Sequence, residues 1–278
     1  MFHASLYFLR SIVLGAAVLL QIIVAASGQN LPNYVDPSAY EDTLDLSLIT
    51  SIRFLTSADF PPFNFKDEGG DIVGFNVELA AALCKEIGAD CTLQSWPWAQ
   101  LPKALEDGQG DVIIAGLNIN EENGRRFEFS QSYLQLPGRF VGRNTSASAV
   151  DFDPQKLTSV IGVQRGSAHF AFIKQHFPKM ILLSFDSELD VFAGIEAGTI
   201  DFGFVDGMRA SFWLNQNDCC GFFGGPYFST EYFGGGLAVA VLPAKGDILR
   251  AINIGLRRLG ERGKLDELYF KWFAVGFY

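Results

Sequence analysis

The chain has 278 residues, 49% hydrophobic and 19% charged, which is enough apolar material for one or two globular domains and too much for a disordered chain. Its 31 acidic residues outnumber 21 basic ones, a formal charge of −10 that argues against nucleic acid and anionic membrane surfaces as partners. No CxxC pair occurs and there are only three histidines, so a zinc site has no support, and no cofactor is expected.

Residues 1–28 stand apart. His3 and Arg10 flank the apolar run SIVLGAAVLLQIIVA, and Ala26-Ser27-Gly28 offers small residues for cleavage before Gln29. The run is about 15 residues, whereas a membrane-spanning helix needs about 20, so the pattern predicts a secretory signal peptide, with an uncleaved anchor as the other reading. Its removal takes away one Arg and no acid, moving the formal charge from −10 to −11. The segment 29–47 reads as a loop-like lead.

Strand and helix signals then alternate, the mark of an α/β layer fold. SIRFLTS is a predicted strand, and DFPPFNFKDEGGDIVGF a loop with a short ribbon. Asn76 is placed to cap a helix VELAAALCKEI, whose Leu79, Ala80, Leu83, Cys84 and Ile87 form one apolar stripe stopped by Gly88. CTLQSW is a strand, WAQLPKALED a helix, and DVIIAGL a buried strand of the parallel kind. Cys84 and Cys91 bracket the end of the first helix and the start of the next strand; cross-linked, their short loop contributes roughly 2.5 kcal/mol. Cys219 and Cys220 are adjacent, and both a vicinal disulfide and free thiols are open.

A second series repeats the plan: strand LTSVIGV, helix SAHFAFIKQHF, helix LDVFAGIEAG, strand IDFGFVD. ALEDGQGDVIIAG and GIEAGTIDFGFVDG echo one another, which implies two similar lobes. SYLQLPGRFVGRN crosses from one to the other, GGPYFSTEYFGGGLAVAV returns, and DILRAINIGLRRLGERGKLDELYFKWF reads as one final helix. These boundaries give lobe one as 48–136 plus 234–278 and lobe two as 137–233.

Ligands of open parallel sheets lie at the carboxyl ends of strands. Three places qualify: Ala115-Gly116-Leu117-Asn118, the turn from Gly162 through Gln164 to Ser167, and Asp206. Glycine at 116 leaves room for close approach, a helix start at Ser167 favours an anion, and Asp206 can hold an amine. Turn formation by Gly116 and helix capping by Ser167 and Asp206 stand beside these roles. Phe60, Phe63, Trp96 and Trp98 sit in loops, where stacking on a ligand competes with core packing. The adjacent Arg125 and Arg126 are either ligand grips or solvent-facing charges.

In this order, PPFNFKDEGGDIVGFNVELAAALCKEIG, WAQLPKALEDGQGDVIIAGLNI, FEFSQSY, IGVQRGSAHFAF, AGTIDFGFVD and YFGGGLAVAV resemble the periplasmic solute-binding proteins that feed ABC importers of polar amino acids, the lysine/arginine/ornithine, histidine and glutamine binders. The resemblance covers roughly residues 50–273. It implies a two-lobed periplasmic binding protein of type II, the Venus flytrap, with two hinge strands. It also implies a periplasmic location, a monomer, an ABC permease as partner, and no catalysis. A cyclohexadienyl dehydratase-like enzyme on the same scaffold and a ligand-binding sensor are the alternatives. The Cys84 to Cys91 spacing is similar to the disulfide of the basic amino acid binders.

By the same resemblance Phe60 and Trp98 form an aromatic sandwich, Ala115, Gly116 and Asn118 line the cleft, Gln164 and Ser167 belong to the lobe-two turn, and Asp206 holds the ligand's amino group. Two positions depart from the family. The arginine that clamps the carboxylate stands six residues before the phenylalanine of a Phe-Ser pair; here, six before Phe129, it is Asn123. The threonine expected after Ser167 is Ala168. Loss of a guanidinium clamp removes about 1.5–3 kcal/mol of charge-assisted bonding. The expected ligand is therefore a small polar solute with a positive nitrogen, an amino acid or an amine like one, captured by cleft closure.

Overall fold

The computed structural model describes residues 44–117, 119–145, 152–156 and 159–273. The expected signal peptide, the lead up to residue 43, and Asn118 lie outside these residues.

Each lobe is built on its own five-stranded sheet. In the first, strand β1 (Ser51–Thr56) buries Ile52, Phe54 and Leu55. It is followed by a small antiparallel ribbon of β2 (Asp59–Phe60), β3 (Asn64–Lys66) and β4 (Ile72–Val73). Helix α1 (Phe75–Ile87) then lays Leu79, Ala80 and Leu83 onto the sheet and ends at Gly88 in the left-handed conformation. Strand β5 (Asp90–Ser95) returns parallel to β1. Cys84 and Cys91 are disulfide-bonded across this turn, their Cα atoms 6.1 Å apart. A short 3₁₀ turn (Trp98–Gln100) leads into α2 (Leu101–Glu106), and β6 (Val112–Ile113) joins the other side of β1, also parallel. Helix α3 (Glu121–Gly124) and β7 (Glu128–Phe129) complete the outward half of the lobe.

The second sheet starts with β8 (Gly138–Arg143). Strand β9 (Val160–Gln164), α4 (Ala168–His176), β10 (Ile181–Phe185), α5 (Glu188–Ala197) and β11 (Phe202–Asp206) follow as alternating strand and helix, with β10 and β11 on either side of β9 and parallel to it. Helix α6 (Gly207–Leu214) leads to β12 (Cys220–Tyr227), which pairs antiparallel with β8 at the far edge. Both faces of this sheet are covered. Phe140, Phe202 and Phe204 pack with Phe172 and Ile173 of α4, whereas Val141 and Val205 pack with Val191, Phe192 and Ile195 of α5. Double-sided burial is why IDFGFVD is apolar without alternation. The sulfurs of Cys219 and Cys220 lie 2.16 Å apart beside the start of β12.

After α7 (Thr230–Phe233) the chain re-enters the first sheet as β13 (Ala240–Val241), antiparallel to both β6 and β7. The outgoing and returning passages are bonded to each other: Leu237 N–H donates to Leu134 O at 2.7 Å, and Tyr133 N–H donates to Leu237 O at 2.9 Å. Gly236 at this crossing has φ +95, and a Cβ there would meet Ser132 Oγ at 2.3 Å and the Leu134 carbonyl oxygen at 2.5 Å, so only glycine fits. The two-lobed, two-hinge architecture read from the sequence is present.

Two local expectations fail. The final helix is two helices, α8 (Gly246–Glu261) and α9 (Lys264–Trp272), because Gly263 takes φ +68 and turns the chain. Asn76 does not cap α1; Gly74 occupies the cap position, and Asn76 is fully buried inside the first turn.

Candidate functional site

Parallel strands direct their carboxyl ends to one edge, and in each sheet that edge collects the candidate residues. In the first sheet, β1 runs on into β2 and Phe60, β5 into Trp98, and β6 into Ala115 and Gly116. Phe60 stacks on Phe63 with ring centroids 4.8 Å apart and planes at 16°. Its edge covers Gly116, where a Cβ would stand 2.6 Å from Phe60 Cε1, and where φ is +80. Glycine is thus required here by backbone conformation and by the ring together. Trp98 is 45% exposed, a large apolar surface left open at this edge. Ala115 is fully buried against Leu55, Leu101 and Phe127, so its side chain belongs to the core and only its backbone can face a ligand.

A buried polar network the sequence did not disclose supports this edge. Asn64 Nδ2 donates to Ser57 Oγ at 2.9 Å, Asn76 Nδ2 donates to Asn64 Oδ1 at 2.7 Å, and Tyr133 Oη donates to Asn76 Oδ1 at 2.9 Å. The Gly116 backbone is bonded to the same phenol, whose ionisation burial drives well above the usual range. The chain therefore ties Gly116, the β2–β3 ribbon and the outgoing crossing into one unit. Tyr133 lies 57 residues from Asn76, and no local pattern announces such a partner.

In the second sheet, β9, β10 and β11 end where α4, α5 and α6 begin. Ser167 caps α4: its Oγ accepts from Phe170 N–H at 3.0 Å and donates to Gln164 O at 2.8 Å. Gln164 Nε2 donates to Asp186 O at 3.2 Å. Asp206 caps α6, its Oδ1 accepting from Arg209 N–H at 2.9 Å. The capping roles weighed for Ser167 and Asp206 are therefore real. Asp206 is only 7% exposed, and Glu188 at the start of α5, 5% exposed, accepts the Asp206 N–H through Oε1 at 3.0 Å. Arg209 Nη1 lies 2.9 Å from Glu188 Oε2. Burial, and after it the Glu188 charge, pushes the Asp206 carboxyl up to about 7, against the lowering pull of Arg209. His169 on α4 stacks on Phe233 at 4.8 Å, and burial holds its imidazole below the ordinary range.

The arginines lie elsewhere. Asn123 lies within α3, its N–H donating to Asn120 Oδ1 at 2.9 Å. Arg125 pairs with Glu121 one turn back, Arg126 Nη2 pairs with Glu106 at 2.7 Å, and Arg165 stands 3.6 Å from Asp186. All three are surface pairs, so the solvent-facing reading of Arg125 and Arg126 is the one the structure carries. Among the described residues no group of His, Cys, Asp and Glu is arranged to hold a metal, and no helix is long and apolar enough to cross a membrane.

Two α/β lobes joined by a bonded double crossing, each presenting polar and aromatic groups at its sheet's carboxyl edge, define a hinged solute-binding protein. The family model described as bacterial extracellular solute-binding proteins, family 3, matches residues 52–275, and the chain belongs to that family. Among relatives, it is 32% identical over 231 residues to the putative ABC transporter arginine-binding protein 2 of Escherichia coli, covering 83% of this chain and 94% of that one. Solved structures of binding proteins also resemble it. A Salmonella typhimurium periplasmic binding protein, described as highly specific for arginine, is 25% identical with a TM-score of 0.58, covering 81% of this chain and 99% of that one. The second substrate-binding domain of Lactococcus lactis GlnP, in its open conformation, shares the fold at 16% identity and a TM-score of 0.74, covering 81% of this chain and 96% of that one.

Proposed function

We propose that this solute-binding protein serves an ABC importer in the periplasm, capturing a small solute that carries a positive nitrogen and for which a carboxylate contributes little. The lobes are taken as 48–136 with 234–278, and 137–233. Phe60, Trp98 and the Gly116 backbone of lobe one receive the ligand's cationic end, with Asn118 and Asn123 as further lobe-one candidates. Closure then adds Gln164, Ser167 and Asp206 of lobe two, with Asp206 at its amino group.

The observation that carries this reading is the asymmetry of charge at the two edges. A buried carboxylate, Asp206, ends β11, while position 123 holds an asparagine and Arg125, Arg126 and Arg165 are each paired with surface acids. An exposed indole and a ring laid over glycine suit a guanidinium or ammonium through cation–π contact, worth about 0.5–2 kcal/mol depending on desolvation. The arginine in the names of the relatives fits the cationic half of the site, and the absent clamp sets this chain apart in the other half.

Refolded, ligand-stripped protein tested with L-arginine and with agmatine, its decarboxylated counterpart, separates the two halves. Stabilisation follows mass action, about 2.7 kcal/mol at a hundredfold excess over the dissociation constant. Agmatine is expected to raise the melting temperature at least as much as L-arginine, and Asp206→Ala to abolish both shifts. An arginine shift with none from agmatine would contradict the carboxylate-free reading. Asn123→Arg is expected to strengthen L-arginine selectively.

A further inference from the structure

The acid expected to meet the ligand has a second acid behind it. Glu188 begins α5, and its Oε1 accepts the backbone N–H of Asp206 at 3.0 Å, while its other oxygen lies 2.9 Å from Arg209 Nη1. Arg209 in turn gives its backbone N–H to Asp206 Oδ1 at 2.9 Å. Glu188, Asp206 and Arg209 thus form a closed ring of contacts across α5, β11 and α6, with both carboxylates more than nine-tenths buried. The Arg209 guanidinium pairs with Glu188 while Asp206 takes the Arg209 backbone N–H, so the cluster is one positive charge short of neutrality when both carboxylates are ionised. The remaining charged or titratable neighbours do not make up the deficit. Burial disfavours the charged form of His169 on α4. Arg139 on β8 turns away to Gly224 O, 3.0 Å from its Nη2, and lies over the Phe222 ring at 4.3 Å.

We propose that Glu188 is a positioning residue that makes ligand capture proton-coupled: the empty site holds a proton on Asp206, and the arriving cation replaces it. The O–H bond of the Asp206 carboxyl breaks, its electron pair remains on the carboxylate that faces the ligand's nitrogen, and the proton passes to solvent buffer. The ligand's positive charge then supplies what the cluster lacks. The upward displacement of the Asp206 carboxyl to about 7 by burial and by Glu188 agrees with this geometry. The proposal rests on Asp206 being the ligand's counter-ion.

Calorimetric titration of the better of agmatine and L-arginine, repeated in phosphate and in imidazole buffer near pH 6, counts the protons directly from the difference in observed heat. About one proton per ligand is expected to be released near pH 6 and almost none near pH 8.5, with affinity falling by close to tenfold per unit below about pH 6. Glu188→Gln, checked for folding by circular dichroism, is expected to reduce the release and to move the affinity profile to lower pH. A purely structural role for Glu188 would instead weaken binding equally at every pH. Tight binding with identical heats in the two buffers would overturn the proposal while leaving the proposed function standing, and that outcome needs no variant. Failure of both probes to bind would remove the reading beneath it.

Discussion

At the scale of single residues, Asp206 and Gly116 carry the sharpest consequences. Asp206 has a folded-state pKa raised above that of an unfolded carboxyl, so between about 4 and about 7 the folded chain holds more protons than the unfolded one. Its contribution to stability is therefore present below the unfolded value and is lost as the pH rises through about 7. Asp206→Asn keeps a residue that caps helices well and removes the buried charge. The ligand-free variant is expected to gain melting temperature over the wild type at pH 8, with little or no gain at pH 4; an equal offset at both would contradict the charge account. At Gly116, alanine must accept φ +80 and displace the Phe60 ring, which costs about 1–3 kcal/mol and weakens ligand binding along with stability. Urea melts of Gly116→Ala give the first quantity directly.

At the scale of elements, the carboxyl edges were legible in the sequence because strand, glycine and helix signals occur in fixed order. The helix VELAAALCKEI, its Gly88 stop and the disulfide from Cys84 to Cys91 followed from local pattern, and they are present. What escaped depended on partners far along the chain. Asn76 looked like a cap because asparagine before an apolar stripe usually is one, yet it is consumed by Asn64 and Tyr133. Glu188 carried no signal in the sequence, because only the fold brings it to the Asp206 backbone 18 residues later. Gly263 broke a helix that the charge pattern and apolar face made continuous. Tyr133→Phe tests the buried network: it leaves Asn76 Oδ1 and the Gly116 backbone without their phenol and is expected to cost about 1–3 kcal/mol by chemical denaturation. A change within a few tenths would mean that the network adds nothing to the β2–β3 ribbon.

At the scale of the whole molecule, two lobes share a pair of bonded crossings, and the candidate groups are divided between the lobes. Phe60, Trp98 and Gly116 belong to one sheet edge, while Ser167, Glu188 and Asp206 belong to the other, so a ligand must be held by both edges at once to use them all. The repeated strand and helix order disclosed this division, as did the apolar character of strands buried on both faces. The ligand's chemistry is less legible, because it turns on which arginines reach the cleft, and surface pairing with Glu121, Glu106 and Asp186 is not visible in a linear pattern. Small-angle scattering of the ligand-stripped protein, with and without saturating agmatine or L-arginine, tests capture by closure most directly. The radius of gyration is expected to fall on ligand addition in the wild type and to stay constant in Asp206→Ala; a wild-type curve unchanged by a ligand that binds tightly would contradict the account.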